Sequence, residues 1–437
     1  MPVTDADANP SPEVLSARPQ NISDTGLAQS FLLELVAKHL YHEGVQTLAQ
    51  LAAKMALTGT IVETLLDELR WHSFVEVLAP SELSLALRYR LTDAGRTLAS
   101  DGFAKSGYLG PAPVPLEQYV RMVEAQSVRR FAVTRERFEA AFRDVVLPEE
   151  IRDRLGPALN SDRALLIYGE PGTGKTYICR KLARLLGDAI LVPHAIAVGN
   201  SVIRFFDPTV HRPLMSDDSA VGIRYEGHDP RYVRCPRPVV LSGGELTLDM
   251  LELRYDPATR LTQAPVHCKA NNGMYIIDDL GRQRVAPVDL LNRWIVPMEE
   301  RVDYLTLETG VRFPIPFDVV LVFSTNLNPL DLSDPAFLRR LGYKIRFEPV
   351  SRLEYLAIWR QELATRGLEF EQEVLTQVFD RYRQERRSML PCHPRDLIGL
   401  AADLSRYRDG AARIDAESIA NAWRTYFVDS GAEEAPP

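Results

Sequence analysis

Gly169-Glu170-Pro171-Gly172-Thr173-Gly174-Lys175-Thr176 is the stretch from which the rest of the chain is read. Directly before it stands an apolar run, Ala164-Leu165-Leu166-Ile167-Tyr168, the pattern of a buried strand. Directly after it, Ile178, Leu182, Leu185 and Leu186 recur at helical spacing. Strand, glycine-rich loop and helix in that order make a phosphate cradle. Gly172 and Gly174 let backbone N–H groups fold around phosphate oxygens, at a helix N-terminus whose dipole favours negative charge. Lys175 is placed to reach the β and γ phosphates, and the Thr176 hydroxyl to ligate Mg²⁺. The expected ligands are therefore ATP and Mg²⁺.

A cation beside a triphosphate needs a carboxylate strand as well. Met274, Tyr275, Ile276 and Ile277 supply an apolar run that leads into Asp278 and Asp279. Asp278 is expected to hold Mg²⁺, through water. Asp279 stands where a base orienting the attacking water belongs. A strand ending in a solvated turn gives the same letters, and it is the phosphate loop upstream that favours the metal reading.

With these residues the chain resembles the AAA+ ATPases from about Val146 to Phe427. Val319–Phe323 followed by Ser324, Thr325 and Asn326 looks like the sensor 1 strand, so the resemblance gives Asn326 a part in placing the lytic water. Asp334 to Arg340 resembles the helix end that carries an arginine finger, which in such rings reaches the neighbouring subunit's site. Sequence does not separate Arg339 from Arg340, and a solvated basic helix end reads alike. Pro394-Arg395-Asp396-Leu397 resembles the sensor 2 motif, which would bring Arg395 over the γ phosphate from a helical lid; a surface salt bridge is the alternative. Asp303–Leu307, a Glu308-Thr309-Gly310 turn and Val311–Ile315 alternate like a hairpin, similar to the pre-sensor 1 hairpin of the MoxR-like and magnesium-chelatase branches.

Two departures stand out. Most of the family has glutamate after the Walker B aspartate, and Asp279 is one methylene shorter, which implies slow turnover or a nucleotide-dependent switch. The stretch between Thr176 and Asp278 also leaves room for an insertion around Pro208–Gly244. Its Arg231, Arg234 and Arg237 are expected in a partner-facing element or a solvated loop.

The fold class expected is an α/β P-loop NTPase, a parallel sheet with flanking helices, followed by a helical lid and preceded by a winged helix-turn-helix domain. The boundaries are a disordered arm at 1–25, the winged helix at 26–103, a linker at 104–145, the α/β domain at 146–350, the lid at 351–428 and a disordered tail at 429–437. The winged-helix reading rests on three amphipathic helices around Leu35, Leu51 and Leu65, then strands at Phe74–Leu78 and Leu85–Leu91 about a Pro80-Ser81 turn.

A length of 437 residues allows two or three domains. A formal charge of −8 gives no overall pull toward nucleic acid or anionic lipid. The third helix exposes Glu63, Asp67 and Glu68 against Arg70, so a protein client is favoured over DNA held through residues 26–100. Cys179, Cys235, Cys268 and Cys392 form no CxxC pair and are expected as reduced thiols. With no secretory signal and no membrane-length apolar run, the expectation is a cytoplasmic protein without membrane insertion, assembled with itself as a ring, a hexamer by the resemblance.

Overall fold

The computed structural model describes residues 12–79, 86–130, 132–214, 228–332, 335–369 and 372–427. The Pro80-Ser81 turn, Asp334, the outermost arm and the tail lie outside them, as does the middle of the Pro208–Gly244 stretch.

Five strands carry the fold: β1 (Leu165–Gly169), β2 (Val239–Ser242), β3 (Gly273–Ile277), β4 (Val319–Thr325) and β5 (Tyr343–Phe347). Their order in the sheet is β2-β3-β4-β1-β5. β2 runs parallel to β3, with Val239 opposite Met274, and β1 runs parallel to both β4 and β5, with Leu165 opposite Val322 and Tyr343. Parallel strands are covered on both faces, which is why β3 is buried at every residue and reads as an unbroken apolar run. The flanking helices include Glu149–Leu159 and Lys175–Leu182, and the parallel sheet with flanking helices is as expected.

Contacts divide the chain into two compact units. One comprises Met1–Ala132, Leu186–Ile277 and Arg282–Leu321, the other Val133–Leu185, Asp278–Gly281 and Val322–Pro437.

The second unit contains β1, β5, the end of β4 and the C-terminal helices Arg352–Arg366, Gln372–Gln384, Cys392–Asp409 and Ala416–Tyr426. The helical part begins at Ser351, whose side chain accepts from Glu354 N while the Glu354 side chain accepts from Ser351 N, a capping box that satisfies two helix-end donors. Its core is aromatic: Tyr355, Trp359, Phe379, Tyr382 and Trp423 pack with Leu397, Ile398 and Ile419.

The first unit opens with helices Gln29–Glu43, Leu48–Met55 and Gly59–Trp71, the last two capped by Thr47 and Thr58. Strands Val75–Leu78 and Arg88–Leu91 pair antiparallel, Gln46–Thr47 adds a third short strand, and helix Asp93–Lys105 closes the group. The helices meet through Leu32, Leu35, Leu51, Ile61, Leu65 and Leu69, all buried. Further along, Val302–Thr306 and Arg312–Pro316 form the expected antiparallel hairpin, with Asp303, Leu305, Phe313 and Ile315 turned inward. Among the described residues no helix is long and apolar enough to cross a membrane.

Three segments and one reading of the insertion differ from what the sequence led us to expect. Residues 104–145, expected as a linker with a polar helical stretch, are packed into the fold: Val114–Pro115 pairs with Ala195–Val198, and helix Leu116–Ala125 buries Tyr119, Met122, Val123 and Ala125. Within 146–350, residues 186–277 and 282–321 group with the N-terminal segments instead of with β1. The arm is ordered where it is described, with a helical turn at Pro12–Leu15 and Ser16 and Thr25 buried. Lastly, Arg231 and Arg237 are neither partner-facing nor solvated. Arg231 is fully buried on Asp229 at 2.7 Å and donates to the Thr25 carbonyl, while Arg237 is bidentate to Asp188 and donates to the Gln126 and Asn272 carbonyls. A guanidinium leaves water only for such a set of acceptors; Asp229 stands two residues before Arg231, and the other acceptors lie far off in sequence. Arg234 does stay exposed.

Candidate functional site

The phosphate loop, the end of β4 and the turn after β3 all belong to the second unit. All three leave the carboxyl ends of their strands, the edge at which open α/β sheets bind ligands.

The loop glycines have the backbone that the spacing requires. Gly172 and Gly174 have φ of +85° and +87°, and Gly174 is the residue from which helix Lys175–Leu182 starts. A Cβ on Gly174 would meet nothing within 4 Å, whereas one on Gly172 would come 2.8 Å from Cys392 Sγ. Lys175 is buried, and its Nζ donates to the carbonyls of Gly169 at 2.9 Å and Glu170 at 2.8 Å, with Thr173 Oγ1 at 3.5 Å. Burial lowers the Lys175 pKa, while the carboxylates of Asp279 and Asp278 raise it. Pro171 is exposed and Thr176 half-buried. At the far end of the helix, Lys181 and Arg184 hold Asp144, whose pKa falls to about 2 through those two hydrogen bonds.

Asp278 is buried, and its Oδ1 accepts from Asp279 N at 3.1 Å. Asp279 lies in the left-handed region at φ 50°, which Asp and Asn tolerate better than other side chains. Asn326 Nδ2 donates to Asp279 Oδ1 at 3.0 Å. The turn is also fastened to β4 by Leu280 N to the Ser324 carbonyl at 2.8 Å and by Thr325 Oγ1 to the Leu280 carbonyl at 2.7 Å. Sequence pairs neither Asn326 with Asp279 nor Thr325 with Leu280; the polar run after an apolar strand was the available signal.

The three arginines inferred by resemblance are exposed or half-buried. Arg339 and Arg340 end the helix Pro335–Arg340, with Arg339 Nε donating to the Pro335 carbonyl. Arg395 sits in the first turn of helix Cys392–Asp409, and its Nε bonds Asp396 Oδ1 at 2.9 Å. That helix begins at the phosphate loop, where Cys392 N donates to the Gly172 carbonyl at 3.4 Å, a contact sequence reading missed. The structure thus brings together the loop, Asp278, Asp279 and Asn326, and it places Arg395 one turn from the loop contact.

These residues fit ATP and Mg²⁺. The donors available to a cation, the Thr176 hydroxyl and the Asp278 carboxylate, are hard oxygens. The loop offers a buried ammonium, and the one spot beside Gly174 where a Cβ would fill space is open. Among the described residues no group of three or more His, Cys, Asp or Glu side chains forms a metal cluster. His267 instead bonds Asp303 at 2.7 Å, and His393 bonds the Tyr382 hydroxyl. The four cysteines are free thiols.

Residues 351–425 match a family described as a domain of unknown function, DUF8689. No curated protein matches the chain. Among solved structures, NtrX from Brucella abortus is 12% identical with a TM-score of 0.40, over 64% of this chain and 57% of that one. The RuvB Holliday junction branch migration motor of Thermotoga maritima is 16% identical with a TM-score of 0.37, over 64% and 69%. Domain III of the Thermotoga maritima replication initiation protein DnaA is 14% identical with a TM-score of 0.36, over 66% and 97%. The chain therefore spans just over half of NtrX, and at TM-scores of this size the reading of the site rests on its own geometry.

Proposed function

We propose that the chain is a Mg²⁺-dependent ATPase of the AAA+ type that works as a homo-oligomeric ring, a hexamer, and uses ATP to remodel or assemble a macromolecular client in the cytoplasm. The observation that carries this reading is the shared strand edge at which the Lys175 loop, Asp278 and the Asn326–Asp279 pair meet.

In this reading the loop from Gly169 to Thr176 binds the triphosphate, with Lys175 turning from the Gly169 and Glu170 carbonyls to the phosphates. Thr176 and Asp278 would hold Mg²⁺, which would supply charge neutralisation at the phosphates. Asp279 orients the attacking water and takes up its proton while the γ-phosphoryl group leaves the β-phosphate oxygen. Asn326 positions Asp279 through the 3.0 Å hydrogen bond. Arg339 or Arg340 of a neighbouring copy and Arg395 of the lid stabilise the charge on the transferring group. The hairpin Val302–Thr306/Arg312–Pro316, just ahead of β4, supports the MoxR-like branch and a client-facing role, its outward face carrying Tyr304 with Arg312 stacked 4.7 Å from the ring.

The N-terminal helices and strands support a winged-helix reading, and a protein client is favoured over DNA. Arg70 is paired with Asp67 and Arg90 with Glu76, so two cations that a phosphate backbone would need are already engaged. An ATP-gated DNA-binding regulator would instead show retention on DNA that falls steeply with salt.

The test is Mg²⁺-dependent ATP binding and turnover in the full chain. Lys175→Ala is expected to abolish nucleotide binding. Asp279→Asn is expected to keep binding and lower turnover about 10²- to 10⁴-fold, the range of general-base catalysis. Unchanged ATP affinity in Lys175→Ala would overturn the proposal.

A further inference from the structure

The first unit holds a cleft of about 520 Å³ whose lining is built from residues of that unit alone. Its charged lining comprises Arg130, Arg234 and Arg237 against Asp188, with His228 beside them. Three guanidinium groups against one carboxylate leave two positive charges, in a chain whose formal charge is −8. The floor is apolar in part, through Ile190 and its neighbours.

The arginines differ in what they do. Arg237 is structural: its side chain is buried, Nε and Nη2 engage Asp188 at 2.6 and 2.7 Å, and Nη1 donates to the Gln126 and Asn272 carbonyls. That accounts for four of the five N–H donors of a guanidinium and leaves one Nη2 hydrogen uncommitted among these contacts. Arg130 and Arg234 are exposed, and neither guanidinium has an ion pair or hydrogen bond among the described residues. Two uncommitted forks at the rim and one spare donor on a braced arginine form an anion receptor, because a planar guanidinium matches tetrahedral oxyanions bidentately.

We infer that this cleft binds a small phosphate-bearing molecule through Arg130 and Arg234, with Arg237 as the fixed donor. The volume lies within the range of small-molecule pockets, and a concave site with an apolar floor suits a compact ligand better than an extended polymer. A tetrahedral dianion can engage both forks at once, whereas a single carboxylate fills one. The inference does not depend on the ATPase reading, since none of these residues belongs to the phosphate-loop unit.

The experiment uses the full chain carrying Lys175→Ala, so that the phosphate loop does not compete, and titrates it calorimetrically with inorganic phosphate and, separately, with AMP. Saturable binding of either is expected, weakened about tenfold by Arg234→Ala and by Arg130→Ala, the loss of one charge-assisted contact each. Tighter binding of AMP points to an organic phosphate that uses the apolar floor, and equal binding points to the free anion. Because both arginines are exposed, each variant should keep the parent's melting temperature, which separates lost binding from lost folding. No saturable binding of either probe, or binding indifferent to both substitutions in folded protein, overturns the inference.

Discussion

Alanine at Gly172 and alanine at Gly174 ask the same backbone question and different steric ones. Both glycines stand at nearly the same angle, φ +85° and +87°, so each substitution places an L side chain in the left-handed region at a cost of about 1–2 kcal/mol. At Gly174 the added Cβ meets nothing within 4 Å, and that backbone cost is the whole effect. It corresponds to roughly five- to thirtyfold in nucleotide affinity if it falls on the binding conformation. At Gly172 the Cβ would lie 2.8 Å from Cys392 Sγ and 3.2 Å from Leu390 Cδ1. Contacts of this kind settle near roughly 3.5–4 Å, so Cys392 or the loop must move, and overpacking of this size costs about 1–3 kcal/mol more.

The assay is equilibrium binding of a fluorescent ATP analogue with Mg²⁺ to the full chain, run beside thermal melting. Gly172→Ala is expected to weaken binding at least fivefold beyond Gly174→Ala, the low end of the extra cost. Cys392→Ala, which removes Sγ and leaves the backbone bond from Cys392 N to the Gly172 carbonyl available, should by itself change little and should recover most of the difference in the Gly172→Ala background. Equal losses at the two glycines, or no recovery in the double variant, would refute the reasoning that helix Cys392–Asp409 confines the loop at Gly172.

Three further outcomes follow from buried or constrained groups. Arg231→Ala strands Asp229 in the interior and should cost about 3–5 kcal/mol by chemical denaturation, and a loss no larger than that of an exposed arginine such as Arg234→Ala would show that the pair is inert. His393 is buried and its pKa drops to about 4, chiefly by desolvation, below the unfolded value near 6.5. The folded state therefore binds fewer protons than the unfolded one between those values. The stabilisation, up to about 3 kcal/mol, is complete above pH 6.5 and is lost as pH falls through 4. Melting curves of His393→Gln should lack that part of the pH dependence, and an identical acid slope would contradict it. Asp279→Glu should turn over no faster than wild type despite its longer reach, because glutamate is less suited than aspartate to φ 50° and must remake the Asn326 contact; a clear rate increase would show that reach is the limiting factor.

What the sequence made legible were the elements whose letters are set by local geometry. The phosphate loop is written in glycines because φ near +85° excludes most other residues, and the apolar runs of β1, β3 and β4 follow from burial on both faces. The hairpin after helix Ile295–Glu300 showed itself by alternation, since Asp303, Leu305, Phe313 and Ile315 face inward. The arginines of the insertion could not be read the same way. Arg237 takes its carboxylate from Asp188, 49 residues away, and Arg231, although Asp229 stands two residues before it, also donates to the Thr25 carbonyl, 206 residues away, a partner the neighbouring letters do not show. At 104–145 the letters show a polar helical stretch after the prolines and glycines, but not the pairing of Val114–Pro115 with Ala195–Val198 or the burial of Tyr119, Met122, Val123 and Ala125.

The placement of Asp279 shows how the position of a proposed base can be set by a strand other than the one that leads into it. β3 delivers Asp278 and Asp279, yet the four residues Asp278–Gly281 group with the end of β4 and not with β3 itself. The bonds explain this, since the Leu280 amide, the Leu280 carbonyl and the Asp279 carboxylate are all engaged by Ser324, Thr325 or Asn326. A turn held at three points can keep a non-glycine residue at φ 50°, because the surrounding bonds over-determine it. The missing methylene relative to glutamate is then the side chain compatible with that backbone. In the proposed mechanism, Ser324-Thr325-Asn326 sets where the base points, so that a shift of β4 would reach the water-activating carboxylate before it reached the metal-holding one.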